Sequence, residues 1–264
     1  MTTAAARGPV ALVLHQARFD LRSFLRNQQA RFFTLALPVI FLVIFNGVFG
    51  NRVVGPGPMK ASAYYVPGIA ALAVIAASFV NLVISITAQR EGGILKRRRA
   101  TPVPASVLVG GRALTAVGIS LVVVAVLLGV GRVAYGVKLP TAGLIGIAFT
   151  AIVGSITFCV LGYALSTVIR NEDAAQPMVQ AIMLPLYFIS GIFIPNISLP
   201  PWLRHVASVF PVQHLAAGFR HSYVPGAHGI GIVWSDIGVL AIWALIGITV
   251  AILRFSWLPK AASA

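Results

Sequence analysis

From Phe32 to Asn51 the chain carries no Asp, Glu, Lys or Arg, and the same holds for 61–89, 113–131, 139–169, 174–203 and 237–253. A helix that crosses the hydrocarbon core of a bilayer needs about 20 such residues. A soluble domain, about a quarter of it charged, cannot place six stretches of this kind without exposing them to water. Here 58% of residues are hydrophobic and 9% charged, with mean hydropathy +0.93. These runs predict an all-α membrane protein with six transmembrane helices, at about 32–51, 64–88, 106–130, 142–169, 175–195 and 236–256. The last run is short, but Trp234 and Trp257 flank it as interfacial anchors. Two further uncharged runs, 205–219 and 221–235, are interrupted by Pro211 and Pro225 and are too short to span.

The excess of 20 Lys+Arg over 5 Asp+Glu gives a formal charge of +15. A nucleic-acid binder can be as basic, but it displays its charge on a soluble surface. Here the bases sit in short clusters between apolar runs, the pattern of the positive-inside rule, and nucleic acid is excluded as a partner. With the N-terminus inside, 14 of the 20 bases fall on cytoplasmic segments; Arg52, Lys60, Arg132, Lys138, Arg204 and Arg220 fall outside. Both termini are then cytoplasmic, and 258–264 is a cytoplasmic tail. The first apolar run follows Arg7, Arg18, Arg22, Arg26 and Arg31, so no cleavable leader is expected. A lone Cys159 allows neither an intrachain disulfide nor a cysteine metal cluster.

Residues 1–31 are read as a cytoplasmic segment with an amphipathic helix. At 100° per residue Val10, Val13, Leu14, Ala17, Leu21, Phe24 and Leu25 share one face, and His15, Arg18, Arg22, Arg26 and Gln29 share the other. This suits a helix lying in the headgroup plane; a solvated helix packed on a partner protein is the alternative.

A phosphate-cradling GxxxxGK[ST] loop is absent, as are HExxH and GxSxG. The five acids, Asp20, Glu91, Glu172, Asp173 and Asp236, are placed in loops or at helix ends, outside the spans where an ion-driven pump needs them. No catalytic apparatus, cofactor or metal site is expected in this chain.

The segment 89–104, between the second and third spans, reads Gln-Arg-Glu-Gly-Gly-Ile-Leu-Lys-Arg-Arg-Arg-Ala-Thr-Pro-Val-Pro. A polybasic run that fixes topology and touches anionic lipid explains Lys96 to Arg99. It does not explain a lone carboxylate, two glycines and a Thr-Pro stop. Gly92-Gly93 lets the backbone break from the span, Ile94 to Arg99 forms a short surface helix, and Pro102 and Pro104 end it.

With this loop the chain resembles the ABC-2 family of ATP-binding-cassette permeases, in particular its bacterial drug-exporter branch. Glu91, Gly93, Leu95, Arg97, Thr101 and Pro102 stand at the places of that branch's Glu-x-Gly-x-Leu-(Lys/Glu)-Arg…Thr-Pro pattern. A second block, Leu184 to Pro195 with Ser190-Gly191 near its end, then Leu199-Pro200-Pro201-Trp202-Leu203 and Phe210-Pro211, is similar to the end of the family's fifth span. Arg98 and Arg99 depart from the pattern, standing where the family commonly has apolar residues.

The resemblance implies that six spans, over 32–257, form half of a membrane pathway and that two such subunits pair, identical or not. Each subunit docks a separate ATPase, which holds ATP and magnesium. The 89–104 loop would be the coupling helix, with Glu91 the most sensitive residue and Gly92, Gly93, Leu95, Lys96 and Arg97 the docking surface. A hydrophobic or amphiphilic substrate would leave across the bacterial plasma membrane between the first, second and fifth spans. Asn46, Asn81, Tyr187, Phe188 and Ser190 are the candidates for lining that path, with ordinary packing the competing reading for each. Pro38 and Pro185 would kink their helices. Residues 196–232, apolar through Trp202, Leu203, Val206, Val209 and Phe210, would form re-entrant outer helices. His205, His214, His221 and His228 read as interfacial histidines rather than a metal or pH site, and Asp236 as the start of the last helix. Export of a glycan or lipid-linked glycan by the same family, and a membrane protein acting without an ATPase, are the alternatives.

Overall fold

The computed structural model describes residues 8–49, 52–53, 60–100, 104–136, 141–195, 198–223 and 231–254. Thr101, Pro102, Asn196, Pro225, His228, Trp257 and the tail 258–264, all used above, lie outside them. Among the described residues the chain is helical apart from turns and a single bridge between Val53 and Lys60. The helices are α1 (Pro9–Arg26), α2 (Gln28–Arg31), α3 (Leu37–Phe49), α4 (Ala61–Ile75), α5 (Asn81–Glu91), α6 (Ile94–Arg99), α7 (Ala105–Tyr135), α8 (Leu144–Ser166), α9 (Ala175–Ile189), α10 (Pro201–Ala207), α11 (Pro211–Tyr223) and α12 (Trp234–Arg254).

Among the described residues five continuous helices are long and apolar enough to cross a membrane: Gln28–Phe49, Ala63–Glu91, Ser106–Tyr135, Thr141–Ser166 and Trp234–Arg254. The segment expected to supply the fifth of six spans, 175–195, is carried by the shorter α9, 15 residues long. Its helix stops because Ser190 leaves helical geometry and Gly191 turns the chain back at φ 77°.

Two of the membrane-length helices contain a widened, π-type turn. In the first, Phe32–Ala36 precedes Pro38, which lacks the N–H that would reach the carbonyl of Thr34; widening that turn relieves the missing bond. In the second, Ala76–Val80 joins α4 to α5, and Ser78 there donates to the Val74 carbonyl at 2.6 Å. Pro185 lies inside α9 as expected, and Pro67 lies inside α4.

The α4–α5 helix forms the centre of the bundle: 72% of its most apolar stretch is buried, against 17% for α12 and 22% for the helix containing α3. Helices α7, α8 and α11 surround it, and α8 joins α12 through a close approach at Gly247, where an added Cβ would meet Val160 at 3.0 Å. The outward apolar faces of α3, α9 and α12 suit a surface that meets lipid, not water.

Helix α1 lies along α7 of its own chain. Gln16 sits against Gly111, with 2.6 Å between its Cγ and the position of an added Cβ there, and Thr115 donates to the Ala17 carbonyl at 3.1 Å. The apolar face read from the sequence is therefore divided: Ala17 and Phe24 are buried, while Val10, Leu14, Leu21 and Leu25 stay exposed. Asp20 lies within α1, not at a helix end, and accepts a bond from Gln16 at 2.9 Å.

Candidate functional site

Two successive residues at the end of α5 build the elbow. Arg90 is buried, 1% exposed, and its guanidinium donates to the carbonyls of Ser166 at 2.7 Å and Ile169 at 2.5 Å. The first is a carbonyl that the C-terminus of α8 leaves unpaired, where a cation is favoured by the helix dipole; the second lies in the turn that follows. Glu91 points the other way, and its Oε2 accepts the backbone N–H of Glu172 at 2.5 Å. Together they tie the 166–172 turn to α5. Reading the sequence counted Arg90 only as a topological charge.

Gly92 continues the helical hydrogen bonding, its N–H reaching the Ala88 carbonyl at 2.9 Å. Gly93 makes the reversal at φ 69°, a left-handed conformation that costs a residue with a Cβ about 1–2 kcal/mol. Then α6 begins. Leu95 is buried among Leu82, Ile86, Cys159 and Tyr163, with Ala113 and Ala251 beside them. Ile94, Lys96 and Arg97 face outward. Arg98, one turn from Leu95, is partly covered and places its guanidinium 6.0 Å from the Phe19 ring of α1. The departure from the expected apolar residue thus becomes a cation–π contact that seats α6 on α1. Burial, then the neighbouring Arg112, lower the Arg98 pKa, and Asp20 opposes the shift.

Beside the elbow opens a cavity of about 640 Å³ between α2–α3, the α4–α5 helix and α9, within the usual size range of ligand sites. Near the elbow it is lined by Gln89, Glu172, Asp173 and Gln176; farther in by Asn81, Gln180 and Leu184; and at the far end by Phe41, Leu72, Tyr187 and Phe193. The widened turn of the second membrane-length helix contributes Ala76 and Val80 to the wall. Behind Asn81, Ser85 and Gln89 lies a narrow crevice of about 90 Å³ that reaches Asp20 and Arg112. There the Ser85 hydroxyl accepts from Arg112 at 3.0 Å and from Gln89 at 3.1 Å.

Of the five residues expected to line a path, Asn81 and Tyr187 border this cavity. Asn46 and Ser190 are buried in the bundle, with Asn46 Nδ2, Asn46 Oδ1 and Ser190 Oγ lacking hydrogen-bond partners among the described residues. Phe188 is 46% exposed on the outward face of α9, its ring 5.4 Å from that of Phe193. The sequence did contain the missed wall. Asp173, Gln176, Gln180, Leu184 and Tyr187 recur every three or four residues, one helix face. Polarity of single residues does not reveal it, and of its members only Tyr187 was expected.

At the opposite end of the bundle Tyr64 and Arg220 both donate to the Gly191 carbonyl, at 2.8 and 3.0 Å. Arg220 also stands 5.8 Å from the Tyr64 ring. Asp236 lies in the first turn of α12 as expected, and it also pairs with two of the histidines, His214 and His221. Its Oδ1 lies 2.7 Å from His214 Nδ1, and its Oδ2 lies 3.4 Å from His221 Nδ1. The other nitrogen of His214 contacts the Ser208 carbonyl at 2.8 Å, and His205 contacts the Pro201 carbonyl at 2.8 Å.

The bond to Asp236 raises the pKa of His214 above the ordinary 6.5, with burial opposing. The protonated pair is therefore complete below about pH 6.5 and is lost as pH rises through the elevated value. Thermal unfolding of the purified chain will show a midpoint that falls between pH 6 and 9, and His214→Gln will flatten that slope.

Membrane-length apolar helices, a charged elbow braced from within and a half-polar cavity beside it define a multi-pass membrane protein. Residues 13–224 match the ABC-2 type transporter family, and the chain belongs to it. It is 22% identical over 218 residues to the inner membrane transport permease YadH of Escherichia coli K12, covering 80% of this chain and 82% of that protein. It is 23% identical over 205 residues to the daunorubicin resistance ABC transporter permease protein DrrB1 of Streptomyces coeruleorubidus, covering 77% and 70%. With the probable multidrug ABC transporter permease YbhR of E. coli K12 it shares 24% over 187 residues, 70% of this chain and 49% of that one.

Proposed function

We propose that this chain is the membrane subunit of an ATP-driven exporter in the bacterial inner membrane. Two such subunits pair, each docks a separate ATPase that holds ATP and magnesium, and the cavity carries a hydrophobic or amphiphilic substrate outward. In this reading the elbow and both termini face the cytoplasm. The segment α9 with residues 190–195 makes the fifth of six crossings, and α1 lies in the headgroup layer with Val10, Leu14, Leu21 and Leu25 towards lipid. Helices α10 and α11 form the outer segment.

The observation that carries the reading is the bond from Glu172 N–H to Glu91. It joins the base of the docking helix α6 to the turn whose carboxylates line the cavity mouth. A force that moves α6 moves that turn as well. ATP binding then shifts the bundle only by favouring one of its arrangements over the other, so docking must differ between the two.

The test is recovery of the tagged chain from native membranes, with the co-purified material assayed for ATP hydrolysis. An ATPase will accompany the wild type. Lys96→Glu with Arg97→Glu, on the outward face of α6, will reduce its recovery about tenfold or more, because both charges turn repulsive at the contact. Absence of any ATPase from gently solubilised, folded material overturns the reading.

A further inference from the structure

The cavity is graded along its length, and the gradient identifies its ligand more closely than hydrophobicity does. Its mouth carries Glu172 and Asp173, two of only five acids in a chain of charge +15. Among the described residues no Lys, Arg or His lines the cavity, and neither carboxylate is ion-paired. Apart from Glu91, exposed charges around the same end of the bundle are basic, among them Arg18, Arg22, Arg26, Arg31, Lys96 and Arg97. A negative mouth in a positive surround focuses field lines for cations and repels anions.

The far end is of different chemistry. Phe41 and Tyr187 both face Phe193, with ring centroids 5.6 and 6.2 Å away. Aromatic faces of this kind hold flat apolar bodies and attract cations. Tyr187 is only 7% exposed, lines the cavity, and its hydroxyl has no hydrogen-bond partner among the described residues. That hydroxyl is left free to donate to a ligand acceptor within the cavity. Gln176 and Tyr187, along one face of α9, are separated by about 16 Å of helix, at 1.5 Å per residue.

We infer that the cavity binds an amphiphilic organic cation, its apolar or aromatic body against Phe41, Tyr187 and Phe193 and its positive group towards Glu172 and Asp173. This rests on the reading of the cavity as the substrate path. The Glu172 side chain is free for this role because Glu91 holds its backbone N–H, not its carboxylate.

The experiment uses the full chain in nanodiscs of neutral phosphatidylcholine, with tetraphenylphosphonium and tetraphenylborate as probes matched in size and opposite in charge. Saturable binding above that of empty nanodiscs is measured for each. The cation is expected to bind about tenfold or more tighter than the anion. Glu172→Gln with Asp173→Asn will weaken the cation about tenfold, the scale set by two partly screened charges, and leave the anion unweakened. Glu172→Asp will retain wild-type preference, which separates charge from loss of structure. Ala88→Trp, which obstructs the cavity beside its mouth, will remove binding of both.

Equal affinity for the two ions, or a double variant that binds the cation as wild type does, overturns the cation assignment. If Ala88→Trp still removes that binding, the cavity stands as a ligand site. No saturable binding of either ion by monodisperse, helical protein overturns both this inference and the reading of the cavity as the path.

Discussion

Glu91→Ala will leave the ATPase attached but disconnect its hydrolysis from transport. Glu91 is not on the outward face of α6; its carboxylate holds the backbone N–H of Glu172. Removing it spares Ile94, Lys96 and Arg97, which remain outside for docking, and spares Leu95, which keeps α6 seated. What is lost is the link from the base of α6 to the 166–172 turn and so to the cavity mouth. In membranes reconstituted with the co-purified ATPase, recovery of that subunit will stay within about twofold of wild type. Substrate-stimulated hydrolysis and export will fall at least tenfold, the effect expected when a positioning contact is removed. Glu91→Gln, still able to accept one bond from the amide, will retain an intermediate activity. Failure to recover the ATPase with Glu91→Ala would move Glu91 onto the docking face and overturn this division of labour.

Arg90→Met will produce the largest loss of stability of any single elbow substitution. The guanidinium makes two charge-assisted bonds, to Ser166 and Ile169, from a position 1% exposed. Deleting it leaves both carbonyls facing an apolar side chain, and buried acceptors without donors cost about 1–3 kcal/mol each. The cost falls on the joint between α8 and α9, so the 166–174 turn will open before the rest of the bundle. Thermal unfolding in detergent will shift down by several degrees or more, and proteolysis will appear first within residues 166–174. Arg90→Lys, which reaches one carbonyl at a time, will recover part of the loss. A midpoint for Arg90→Met unchanged from wild type would show that the two bonds add nothing to the joint.

The resemblance marked Glu91 as sensitive, but neither its partner nor the role of Arg90 was legible in the sequence. Arg90 meets its partners 76 and 79 positions later, and Glu91 meets its own 81 positions later. Periodicity and spacing inform only about neighbours along one helix. The division of α1 was hidden for the same reason. Its apolar stripe predicted a helix with one greasy side, but the Gly110-Gly111 step that admits Gln16 and Ala17 lies on α7. Asp236 looked like a first-turn acid because only the packing of α11 on α12 brings His214 and His221 to it.

The cavity shows a mixed case. Its α9 wall is a helical repeat visible in the chain, whereas Asn46 and Ser190 were chosen for polarity and turned out to lie within the bundle, away from it. Polarity in an apolar span marks a residue as unusual without saying which neighbour it faces.

By itself the sequence determined the local, one-dimensional properties: where apolar runs are long enough to cross a bilayer, where the basic clusters fall, and where Gly93 lets α5 break into α6. Each follows from side-chain hydropathy or from the φ angle a single residue can adopt, so no distant partner is needed. Only the tertiary structure decided that Arg98 sits over Phe19, that α8 ends on the Arg90 guanidinium, and that two of the five acids open onto a cavity walled by aromatic rings. Those depend on which helix faces which. That choice is set by the close approach of small residues and the pairing of buried polar groups across the whole bundle.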